Sequence, residues 1–88
     1  MSLKAMHRIL DIIDTAFDSE KEVDFFNDPT LEHYKIPNRR IYLILENLLV
    51  EEMIKGIRLE GDYSDFRIIQ ELPRVTFKGV TYVYSTVV

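Results

Sequence analysis

The chain has no cysteine and no tryptophan, only three glycines and three prolines in 88 residues, and no apolar run longer than Ile41–Leu45. Without thiols the fold must stand on its apolar core, with neither disulfides nor thiolate–metal clusters, and the expected setting is a reducing, intracellular and cytoplasmic one. The Ile41–Leu45 run falls far short of the roughly 20 apolar residues of a membrane span, and the first residues lack the apolar core of a signal peptide, so no membrane segment is expected. There is no glycine-rich phosphate loop. Positive charge is also scarce: Lys and Arg number 11 against 15 Asp and Glu, for a net charge of -4, the opposite of the basic footprint common among autonomous nucleic-acid binders. What is present is a 47% apolar composition without repeats, linkers or low-complexity tracts, enough for a single domain over residues 1–88.

The charge is unevenly distributed. Residues 1–32 hold Lys4, Arg8 and Lys21 against eight carboxylates, whereas the rest is nearly balanced, with Arg39, Arg40, Lys55, Arg58, Arg67, Arg74 and Lys78 spread through it. Any anion-facing surface is therefore expected in the second half, where the local field can differ from that of the whole chain.

Apolar periodicity locates the elements. Leu3, Met6, Leu10, Ile13 and Phe17, widened by Ile9, Ile12 and Ala16, form the stripe of a first amphipathic helix over 3–17. A charged connector at 18–22 leads to Val23-Asp24-Phe25-Phe26, a short strand or docking turn, and Asp28-Pro29 is an N-cap with a proline at the first helical position, opening a short second helix over 29–35. Pro37 ends that helix and begins a third over 38–52, with Ile41, Ile44, Leu45, Leu48 and Leu49 on its buried side and Asn38, Arg39, Arg40, Glu46, Asn47 and Glu51 toward solvent. From Met53 the apolar period falls from 3.6 toward 2, which predicts a β-hairpin over 54–72 with Gly61–Asp65 at its tip. The turn, third helix and hairpin together have the order of a helix-turn-helix feeding a wing. By propensity alone the tail from Pro73 to Tyr84 favours a strand.

Two segments carry a resemblance. Glu51-Glu52-Met53-Ile54-Lys55-Gly56 and Pro73-Arg74-Val75-Thr76-Phe77-Lys78-Gly79-Val80-Thr81-Tyr82-Val83 resemble the YjcQ family, small winged-helix proteins of Gram-positive bacteria and their phages, and the similarity runs from about Leu3 to Tyr84. The resemblance implies an α+β winged helix: a three-helix core, a hairpin wing, and a short C-terminal helix in place of a strand, with Thr76 as its N-cap and Tyr82 in the core. It implies no activity. Glu52 stands where the family usually ends the third helix with glycine; a left-handed cap is costly for a residue with a side chain, so a different ending is expected here. Pro37 stands where the family commonly has Ser or a similar N-cap.

Residues able to do chemistry do not assemble into a motif. His7 and His33 fall on different predicted helices without a ligand pair at i and i+4, so no metal site and no cofactor are expected. Asp11, Asp14 and Asp18 read as a solvated helix face, Ser19, Ser64 and Ser85 have no base at a recognisable spacing, and an enzyme is not expected. The arginines are more informative: Asn38, Arg39 and Arg40 open the predicted recognition helix, and Arg58 and Arg67 flank the predicted wing. These five residues define an expected double-stranded DNA interface for an accessory or transcription-regulatory protein, unless Glu46, Glu51, Glu60, Asp62 and Asp65 neutralise the arginines in exposed pairs. The alternative is a protein-interaction module or homodimer using the apolar tail at Tyr82, Tyr84, Val87 and Val88.

Overall fold

The computed structural model describes residues 3–25 and 36–87, with side chains for 5–25 and 36–83. Helix α1 (Leu3–Asp18) is followed by a loop, helix α2 (Asn38–Val50), strand β1 (Ile54–Asp62), strand β2 (Asp65–Val75) and helix α3 (Phe77–Val87). The chain is thus α+β, with three helices and one antiparallel hairpin among the described residues, an arrangement compatible with a winged helix. The short helix expected over 29–35 lies outside them.

The core collects the two amphipathic stripes against the hairpin, α1 lying chiefly on β2 and α2 on β1. Ala5, Ile9, Leu10 and Ile13 of α1 and Ile41, Ile44, Leu45 and Leu48 of α2 form one buried cluster with Met53, Ile54 and Ile57 at the start of the hairpin and Val23 and Phe25 from the loop. Each branched aliphatic side chain of this size contributes about 1.5–3 kcal/mol by leaving water. Phe17 departs from the expected stripe: it is 44% exposed, in the last turn of α1. The loop's Val23-Asp24-Phe25 is a docking segment without strand structure, fixed by an amide that acts like a missing strand: Val23 N–H donates to Gln70 Oε1 (2.8 Å), and Gln70 Nε2 donates to the Val23 carbonyl (2.6 Å).

α2 ends two residues earlier than expected, at Val50, and by the route that its sequence seemed to forbid. Met53 N–H donates to Leu48 O (2.8 Å) and Glu52 N–H to Leu49 O (3.0 Å), the paired bonds of a Schellman motif, with Glu52 itself at φ 58°. The glutamate therefore takes the left-handed conformation usually left to glycine. α1 ends in the same way, with Lys21 N–H on Ala16 O, Glu20 N–H on Phe17 O, and Glu20 at φ 56°. At Glu52 the strained turn is held by tertiary bonds. Thr76 donates its hydroxyl to the Glu52 carbonyl (2.6 Å) and its N–H to the Met53 carbonyl (2.9 Å), while its Oγ1 accepts from Gly79 N–H (3.2 Å) as the N-cap of α3. The tail is accordingly helical, as the resemblance implied, and Tyr82 is half-buried against the core.

The hairpin runs further than the sequence indicated, β2 continuing through Pro73 to Val75. Its tip is the two residues Tyr63 and Ser64. Asp62 Oδ1 accepts from the Ser64 hydroxyl (2.7 Å), Ser64 N–H (3.0 Å) and Asp65 N–H (3.1 Å), a set of bonds that holds its carboxyl below the usual carboxylate range. At the base, the register passes from Lys55↔Arg74 to Ile57↔Gln70, so Gly56 alone faces Glu71, Leu72 and Pro73. Gly56 has φ 83°, and a Cβ there would run into the carbonyl oxygens of Leu72 and Glu71.

Candidate nucleic-acid interface

Strand alternation sorts the hairpin into two faces. Ile57 and Leu59 with Phe66, Ile68 and Gln70 turn inward, whereas Arg58 and Glu60 with Arg67 and Ile69 turn outward, which puts Arg58 and Arg67 diagonally across one face. The inner face meets α2 near the tip, where the rings of Phe66 and Tyr42 pack edge to face at 5.0 Å. The hairpin tip and the first turns of α2 are therefore neighbours. Tyr42 also registers the local charge: partial desolvation, then a hydrogen bond to Glu46, then the charges of Glu46 and Asp62 all raise its phenol above the usual value.

At the start of α2, Asn38, Arg39 and Arg40 are exposed, and the first turn contains no acidic side chain. Pro37 is the N-cap and provides no side-chain hydrogen bond, so the positive end of the helix dipole is not neutralised by a cap. Among the described residues Arg39, Arg40 and Arg58 have no ion-pair partner, whereas Arg67 lies 3.3 Å from Glu60 Oε1, and Glu51 is paired with Lys78 (3.8 Å) and not with an arginine. Of the five expected contact residues, four thus present an uncommitted polar or cationic group, and one is already in an exposed pair. Glu46 and Asp62 both act on Tyr42, and Glu60 pairs with Arg67, so acids accompany the cations here.

Sequence reasoning missed Gln70 and the outward stripe of α2. A lone amide in an otherwise apolar strand was the available signal for Gln70. Leu43 and Val50, seven residues apart, are 45% and 73% exposed, and the helical spacing puts both near the middle of the solvent side. His7 packs edge to face on Tyr82 at 5.9 Å, and His33 is outside the described residues. Among the described residues no three His, Asp or Glu side chains are grouped to hold a metal ion, and no helix is long and apolar enough to cross a membrane.

These features define a small α+β domain with exposed arginines at a helix start and on the outer face of a hairpin. Residues 7–87 match the family described as YjcQ protein, nearly the whole chain, and the chain belongs to that family. No curated protein and no solved structure matches it significantly.

Proposed function

We propose that this chain is a non-enzymatic winged-helix domain that binds duplex DNA in an accessory or transcription-regulatory role. α2 serves as the recognition helix and β1–β2 as the wing. The observation that carries the reading is the start of α2, where uncapped N–H groups, Arg39 and Arg40 coincide with no acid in the turn, in a domain whose hairpin presents Arg58 on its outer face in mid-strand. Such a site favours phosphates, and Asn38 and the arginines have the geometry to read base edges. The acidic remainder opposes it, so affinity is modest and depends on salt. Fluorescence anisotropy with a labelled random duplex tests this: binding should fall with a log–log salt slope of about -0.9 per phosphate contact, Arg39→Glu with Arg40→Glu should abolish it, and Arg67→Ala should barely change it. Absence of binding by micromolar protein at low salt would reject the reading.

A second reading rests on Leu43 and Val50. An apolar stripe on the outward side of α2 suits another protein better than it suits phosphates. Self-association lost in the Leu43→Ser, Val50→Ser variant, seen by sedimentation, would favour this reading.

A further inference from the structure

A second surface, at the carboxyl end of α1, differs in character from the arginine side. An open groove of about 640 Å³ runs between the last turn of α1 and the base of the hairpin. Phe17, Leu72 and Pro73 supply its apolar lining, and Phe17 and Leu72 are 44% and 67% exposed. Asp18, Glu20 and Glu22 supply carboxylates, with Lys21 the single cation in the lining, and among the described residues none of the four has an ion-pair partner. Leu72 does not face solvent by default. It has φ 52°, a left-handed conformation costly for a leucine, held where Gly56 passes its carbonyl oxygen and where Arg74 Nη1 donates to that oxygen at 3.0 Å. On this side Phe17 and Leu72 stay exposed, and among the described residues the carboxylates around them have no ion-pair partner.

We infer that this groove docks a basic, apolar-anchored segment of a protein partner: an aliphatic side chain seats against Phe17 and Leu72, and flanking Lys or Arg residues pair with Asp18, Glu20 and Glu22. Charge selects this occupant. An acidic or phosphate-bearing ligand would meet an excess of carboxylates, and a purely apolar one would leave them unpaired. The site is independent of DNA binding and, being acidic, is a surface DNA avoids, so both could be occupied at once.

Two substitutions remove the contacts while keeping the backbone, because glycine accepts the left-handed conformation at both positions: Leu72→Gly deletes the apolar anchor and Glu20→Gly a carboxylate. The probe is a blocked hexapeptide of alternating leucine and arginine, titrated into ¹⁵N-labelled full-length protein, with a leucine–glutamate hexapeptide as control. Amide shifts should concentrate at residues 16–22 and at Leu72 with the basic peptide only. Affinity should weaken about tenfold in Leu72→Gly and about two- to threefold in Glu20→Gly. Shifts centred elsewhere, equal response to the acidic peptide, or unchanged affinity in Leu72→Gly with a native spectrum would each overturn the proposal. So would a dimer of the unliganded protein that Leu72→Gly dissociates, since the occupant would then be a second copy.

Discussion

The helical side of the core and the hairpin hold their shapes by different means. On the helical side, specification is distributed: Ile9, Ile13, Ile44 and Leu45 are wholly buried in one cluster, and positive φ is confined to the glutamates that end the helices, Glu20 and Glu52. In the hairpin, specification is concentrated. Only Ile54, Ile57 and Pro73 of its strands are buried, and its path depends on Gly56, Gly61 and Leu72 taking positive φ, on one carboxylate in the turn, and on one amide tying it to Val23. The first design fails gradually with lost volume; the second fails at particular atoms.

The largest effect should come from the helical pair. Truncating Ile13, Leu45 or Leu48 to alanine is expected to cost about 2–5 kcal/mol each, read as a lower denaturant midpoint, and midpoints unchanged in all three variants would remove the distinction. Next is Gly56→Ala, the smallest change in volume available, which should still cost about 2–4 kcal/mol because it combines a left-handed side chain with a clash against backbone oxygens. If chemical denaturation shows it to be neutral, the hairpin base is more adaptable than its register implies. The smallest effect has the opposite sign: Glu52→Gly should stabilise by about 0.5–1 kcal/mol, the relief of left-handed strain less the entropy glycine adds to the unfolded chain, seen as a small rise in thermal midpoint. A loss of stability instead would mean that the glutamate side chain has a role beyond its backbone.

This contrast also explains what could be read in advance. Periodic features were legible: the stripes of α1 and α2, the change of period at Met53, and the exposure of Asn38, Arg39 and Arg40, since each follows from residue spacing alone. Phe17 continues its stripe in sequence but sits where the helix outruns the core, a matter of where the partner elements end. Glu52 was misjudged because propensity counts the local cost and not the Thr76 bonds that come from 24 residues away. Arg67's pairing with Glu60 required the register, which becomes known only when the hairpin turn is fixed at Tyr63 and Ser64. Thr76 was found through resemblance; residue propensity on its own pointed to a strand.

The clasp between Gln70 and Val23 has a consequence for the order in which the molecule assembles. The two residues are 47 apart, and closing a loop of that length costs about 3 kcal/mol in chain entropy before any contact repays it, whereas β1 and β2 are joined through two residues. α2, the hairpin and α3 follow one another closely in the chain and can organise through short closures, whereas α1 contacts β2 from far along the sequence. On chain entropy alone the amino-terminal helix is expected to dock last, its arrival marked by one glutamine amide closing on one peptide group.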